Sequence, residues 1–141
     1  MKQPRRSFGC FVTNDHIFVA GGLYASFSAT SSCEVYSIEN NTWSDLPSLP
    51  IPNFSLSLSL FKKNHLIAVG GTDEQKRALN SILILNISQD NAKWQRMNVA
   101  LPQAASEVGL FPQSDSKMLI FGGWNASAKK LSGVYSLREN E

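Results

Sequence analysis

The stretch HIFVAGG at residues 16–22 sets an apolar run between a histidine and a glycine pair. Taken alone it is ambiguous, because glycines after a strand serve a phosphate loop as readily as a turn. The stretch returns as HLIAVGG at 65–71 and as KMLIFGG at 117–123, after shifts of 49 and 52 residues. A period of this length marks a repeat architecture, so the unit is read whole before any residue in it.

Laid over one another, the three units share an order of elements. The four residues before each glycine pair form a short continuous apolar run, the pattern of a strand covered on both faces, here strand B. Ahead of it lies strand A, FGCFV at 8–12, SLSLSLF at 55–61 and VGLF at 108–111, joined to B by the polar turns TND, KKN and PQSDS. This spacing predicts a hairpin. A polar stretch then leads to strand C, CEVYSI at 33–38, SILILNI at 81–87 and SGVYSL at 132–137, with Tyr36, Leu85 and Tyr135 taken as one position at 14, 14 and 12 residues after the second glycine. Trp43 and Trp94 open strand D as WSDL and WQRM, followed by the proline-marked links PSLPIP and NVALP. No helix is predicted.

Short four-stranded antiparallel units at this period predict an all-β fold, a β-propeller built of four-stranded blades. With Gly-Gly, Tyr and Trp in this order, the sequence resembles the kelch repeat family. The first unit, residues 1–50, has Gly21, Gly22, Tyr36 and Trp43; the second, 51–102, keeps Trp94 but has Leu85 for the tyrosine; the third, 103–141, has Gly122, Gly123 and Tyr135 and lacks its last strand. The expected fold is therefore a partial propeller of two complete blades and an incomplete third. Propellers have at least four blades, about 200 residues at this period. The chain is read as a fragment or truncated product of a larger propeller, with self-association, or completion by another propeller segment, as the alternatives.

Blades narrow toward the propeller axis, and Cys10, Ser59 and Gly109 are aligned as the small residues of the innermost strand. Cys33 lies on strand C, two strand spacings or roughly 10 Å from Cys10. That exceeds the roughly 7 Å Cα limit for a disulfide, so two free thiols are expected. Two cysteines make no disulfide framework, and the apolar residues of the start, MKQPRRSFGCFV, are soon interrupted by Thr13, Asn14, Asp15 and His16. No signal peptide or membrane span is predicted, which points to the cytoplasm. The sequons at Asn40, Asn53, Asn86 and Asn125 are read as chance in an Asn- and Ser-rich chain. A net charge of +2 with 17% charged residues gives nucleic-acid binding no support.

Catalysis finds little to work with. His16 and His65 hold one place at the start of strand B, with Lys117 as the third, so the repeat puts them on separate blades. The kelch resemblance brings in copper radical oxidases, whose tyrosine and histidine ligand cluster this arrangement does not offer. Asp45, Asp73, Glu74 and Glu107 have no common spacing for an acid and a base. The glycine pairs lack a following Lys-Ser/Thr or helix N-terminus, and there is no Ser-x-Asp-x-Gly box. The chain is read as a non-enzyme with no cofactor and no metal, the alternatives being a remnant of a copper-oxidase-like propeller or a nonfunctional truncated product.

Binding is the expectation that remains. The A–B and C–D turns lie at one end of each blade, and the long B–C loops and D–A links at the other, where recognition usually sits. The residues expected to contact an unidentified protein or peptide partner are Arg5, Arg6, Tyr24, Phe27, Asn53, Phe54, Lys76, Arg77, Gln103, Trp124 and Asn125. They are aromatics, cations and amides of the kind that anchor interfaces. Trp124 stands where the other units have Leu23 and Thr72, and packing against the adjacent blade is the equal alternative for it. The resemblance implies peptide presentation, in some members as ubiquitin-ligase receptors and in others on actin. The ligase role needs dimerisation and adaptor regions beyond these repeats.

Overall fold

A computed structural model describes residues 1–139 of the chain; the last two residues of the expected third repeat, 140–141, lie outside the described residues. Among the described residues there are strands and no helix. The first blade comprises β1 (Gly9–Val12), β2 (His16–Ala20), β3 (Cys33–Ser37) and β4 (Thr42–Leu46). The second comprises β5 (Ser57–Phe61), β6 (His65–Val69), β7 (Ser81–Asn86) and β8 (Gln95–Ala100). The third has β9 (Gly109–Ser114), β10 (Lys117–Phe121) and β11 (Val134–Arg138). Each sheet is antiparallel with its strands in chain order, and successive blades meet through β1, β5 and β9. The fold is a partial propeller of two four-stranded blades and a three-stranded one.

Packing follows the sequence pattern. The B strand of the second blade is apolar on both faces because it lies between two layers, and Leu66, Ile67, Ala68 and Val69 are all buried. Leu66 and Ala68 face the first blade, against Phe18, Ala20 and Cys33. Ile67 and Val69 face the third, against Val108, Met118 and Ile120. The outer face of the third blade has no layer over it among the described residues, and Phe111, Phe121 and Val134 are 56%, 43% and 66% exposed there.

The strand registers correct two expected equivalences. Gly9, Ser57 and Gly109 each pair with the residue just before a glycine pair, Ala20, Val69 and Phe121. These three, rather than Cys10, Ser59 and Gly109, are the equivalent small residues of the innermost strands. At Gly109 the Phe121 ring lies over the backbone, 2.3 Å from where a Cβ would stand, so a larger residue would have to displace that half-exposed ring. On strand C, Tyr36 and Leu85 pair with Ile17 and Leu66, and their counterpart opposite Met118 is Leu137. Leu137 restores the constant spacing of 14 residues, and Tyr135 is two residues out of phase.

Two boundaries also differ. Trp94 precedes β8 instead of opening it, and Asn98, Val99 and Ala100 belong to the strand. The extension has a bulge behind it: Leu83 pairs with Arg96 but Ser81 with Ala100, so β8 carries two extra residues and the ladder runs on to Ala100. In the third blade β9 continues through Pro112 to Ser114, well into the expected turn. Proline is tolerated because β9 is an edge strand of its sheet.

Cys10 and Cys33 are both free, with β2 between their strands. Burial pushes the Cys33 thiol up to about 11, and desolvation also raises exposed Cys10 above its ordinary value. Only the thiolate attacks a disulfide reagent, so at pH 8 Ellman's reagent should titrate Cys10 in the native chain and reach Cys33 only after unfolding. Equal rates at the two thiols in native protein would contradict this packing.

Candidate partner-binding face

Each glycine pair turns the chain out of the sheet with φ near +60° and then near +100°, values of +61° and +104° at Gly70 and Gly71. The second glycine also forms the seam between blades. Gly22 N–H donates to Asn53 O at 2.8 Å and Gly71 N–H to Ala105 O at 2.9 Å, in each case a carbonyl of the next link. A Cβ on Gly21 or Gly70 would lie 2.2 or 2.1 Å from the same carbonyls, which is why no larger residue fits.

Beyond the glycines, the three B–C loops share one geometry. Tyr24, Asp73 and Asn125 each accept a backbone bond from the residue three further on, Phe27, Lys76 and Ala128. The three donors, Phe27, Lys76 and Ala128, all lie in the left-handed region, at φ +60°, +60° and +54°. Leu23, Thr72 and Trp124 form the centre of a small ladder, bridged on one side by Arg6, Phe54 and Ser106 and on the other by Ala29, Ala78 and Lys130. Repetition of this unit leaves a groove between each pair of neighbouring loops. The first, about 590 Å³, is lined by Leu23, Phe27, Phe54, Thr72, Glu74 and Lys76. The second, about 380 Å³, is lined by Thr72, Lys76, Glu107, Trp124 and Asn125, among others.

These grooves bring together five of the expected residues. Phe27, Phe54 and Lys76 line the first, Lys76 is shared, and Trp124 and Asn125 line the second. Arg6 joins them by stacking over the Phe27 ring at 4.5 Å, and Lys130 lies 5.5 Å from the Trp124 ring. Trp124 is 37% exposed, on the loop face.

Other expected residues serve the fold. Arg5 is turned inward: its guanidinium donates to Gly21 O, Ser32 O, Ser32 Oγ and Glu34 Oε2, and the Arg5 and Glu34 side chains are each 2% exposed. Asn53 is buried as well, donating Nδ2–H to Gly70 O and accepting from Thr72 N–H. Both occupy the same place in successive links, where a polar side chain satisfies the carbonyl of the first glycine. Tyr24 is partly buried, and the Ser32 and Thr30 hydroxyls around its phenol lower its pKa. Arg77 is exposed but pairs with Asp73, whose carboxyl is held below its ordinary value first by the Arg77 backbone N–H. Gln103 is exposed on a link and lines neither groove. Among the described residues, no three of His, Cys, Asp and Glu are grouped to hold a metal ion, and no helix is long and apolar enough to cross a membrane.

Comparison with known proteins agrees with this geometry. The Kelch motif model matches residues 4–50, the whole of the first blade. A kelch domain-containing protein of Sulfurisphaera tokodaii is 33% identical over 108 residues, covering 77% of this chain and 15% of that protein. Kelch-like protein 40 of Mus musculus is 33% identical over 116 residues, covering 78% of this chain and 18% of that protein. The chain belongs to the kelch-repeat family. An F-box/kelch-repeat protein of Arabidopsis thaliana is 29% identical over 143 residues, covering 94% of this kelch chain and 38% of that protein. The chain thus spans well under half the length of the curated relatives it matches.

Within the kelch chain, the groove residues that sequence reasoning did not select include Leu23, Thr72, Glu74, Ser106 and Glu107. Leu23 and Thr72 were legible as the counterparts of Trp124, one residue after each glycine pair. Ser106 and Glu107 needed the bridge to Trp124, a pairing that depends on how a link folds back.

Proposed function

We propose that this kelch chain is a non-catalytic protein-interaction module that takes an extended peptide of a partner protein along the grooves between its B–C loops. One observation carries the reading. Phe27 is 73% exposed while held at φ +60°, a conformation that costs an L-residue about 1–2 kcal/mol. The left-handed turn itself recurs at Lys76 and Ala128 and closes each loop, but the turn has no need of an exposed ring, and aromatics beside cations are the residues that anchor interfaces. Arg6 and Lys76 beside it give the groove cationic walls with an aromatic floor.

The test is selection of peptides from a displayed library on the folded chain, followed by variants. Phe27→Asn should lower affinity at least tenfold while stability stays level or rises, because Asn tolerates the left-handed region. Lys76→Glu should weaken binding in a salt-dependent way. Peptides that bind both variants as well as the parent would sink the proposal, and stoichiometric copper uptake would favour an oxidase remnant.

A second reading rests on exposed Phe111, Phe121 and Val134: the chain is part of a larger propeller, and that face is covered by another propeller segment or a second copy. Light scattering that finds a discrete monomer with no tendency to associate would count against the second copy. The expected cytoplasmic location, with two free thiols, belongs to the same proposal.

A further inference from the structure

The first B–C loop lacks a hydrogen bond that the other two share. Its turn aligns Ser28 with Arg77 and Lys129, each one residue after the left-handed position. Arg77 N–H donates to Asp73 Oδ1 and Lys129 N–H to Asn125 Oδ1, both at 2.9 Å. Tyr24 stands in the place of Asp73 and Asn125, and its phenol is engaged with Thr30 and Ser32 instead. Among the described residues, the N–H of Ser28 therefore has no acceptor. Beside it the loop sets two hydroxyls, Ser26 Oγ and Ser28 Oγ, 2.7 Å apart on the exposed run of residues 25–28.

Cations flank this run. Ser28 lines the first groove together with Lys76 of the next loop. Arg6 lies over the ring of the adjacent Phe27 at 4.5 Å. Neither Lys76 nor Arg6 has an acidic partner within ion-pair distance among the described residues. Glu74 is the acid that lines this groove.

We propose that Ser28 is a phosphorylation site and that its phosphate closes the first groove, an inference that rests on reading that groove as the peptide site. A serine kinase supplies the group. The bond between the γ-phosphorus of a nucleoside triphosphate and its bridging oxygen breaks, a bond from that phosphorus to Ser28 Oγ forms, the hydroxyl proton passes to solvent and the diphosphate leaves. The product carries a charge of about −1.5 to −2 at pH 7 and three strong acceptor oxygens, placed beside a spare N–H and two unpaired cations. It caps Ser28 N–H as Asp73 and Asn125 cap their loops, and it pairs with Lys76 across the groove. Glu74 opposes it with a single charge against the two cations. The resulting bridge from the first loop to the second occupies the space a peptide would enter. Ser26 lines neither groove, so a phosphate there leaves the entry open.

The test encodes phosphoserine at position 28 of the whole chain during translation. This chain should bind the library-selected peptides at least tenfold more weakly than the unmodified one, whereas phosphoserine at position 26 should leave affinity near the parent value. A second readout needs no peptide. By phosphorus NMR the Ser28 phosphate should titrate roughly 0.5–1 pH unit lower in the folded chain than in urea, and Lys76→Ala should return it toward the urea value. Mass spectrometry of the chain isolated from its own cells should find phosphate on Ser28. Undiminished peptide binding, an unshifted resonance, a resonance indifferent to Lys76→Ala, or cells that phosphorylate other hydroxyls of the chain and leave Ser28 bare would each overturn the proposal. Peptides that fail even on the unmodified chain would instead remove the reading of the groove itself, a result the resonance keeps separate.

Discussion

Gly70→Ala should cost roughly 2–5 kcal/mol of stability, and Gly122→Ala only about 1–2 kcal/mol, although both glycines open the same turn. Their φ angles are +61° and +67°, so the penalty for placing a Cβ in the left-handed region is shared. The surroundings differ. At Gly70 the new Cβ meets Ala105 O at 2.1 Å, a backbone atom that cannot swing aside, with Leu101 Cδ1 at 3.4 Å. At Gly122 the nearest atom is Leu131 O at 3.7 Å, ordinary contact. The difference therefore measures the seam between blades and not the turn. Urea unfolding followed by circular dichroism reads it directly, and equal losses at the two glycines would show that the second and third blades do not meet as described.

Arg5→Ala is expected to cost about 3–5 kcal/mol, the usual effect of leaving a buried charge without its partner. Glu34 lies on the outer face of the first blade, 2% exposed, with Arg5 Nη2 at 2.7 Å and the Lys2 backbone N–H at 2.9 Å as its donors. Removing the guanidinium strips the carboxylate of its counter-charge and frees the segment before β1 from Gly21 and Ser32. Arg5→Met combined with Glu34→Met should recover most of the loss or exceed the parent, since an apolar pair of similar volume avoids desolvating two ions. By contrast Lys2→Ala, which removes a pair to Asp45 exposed at 53% and 72%, should change stability by about 0–1 kcal/mol. A double-mutant cycle that finds Arg5 and Glu34 additive would refute the clasp.

Blade number, strand order and the role of the glycines were legible because each is a periodic feature, and three copies of one apolar run leave little choice of period. The errors came where one copy departs from the others. Pro112 reads as a turn residue until β9 is known to be an edge, and the bulge in β8 extends the ladder to Ala100 without any local marker. Arg5 and Asn53 look like surface residues by type. Their burial follows from the fold alone, which sets them over the carbonyls of Gly21 and Gly70. Phe27, Phe54, Lys76 and Trp124 are aromatics and cations of the long connections between short strands, and that much is plain from sequence. Their convergence in grooves depends on the blade-to-blade offset, which no single repeat encodes.

The hydrogen bonds from Gly22 and Gly71 to the following links bear on how the chain is synthesised. Gly22 finds its acceptor on Asn53 and Gly71 on Ala105, so each corner waits for about thirty further residues before it closes. A nascent chain leaving the ribosome N-terminus first is therefore always one seam behind, its newest blade finished in secondary structure but unlatched. Pausing of translation just after a glycine pair should leave that corner open to proteases, and pausing after the next link should shut it.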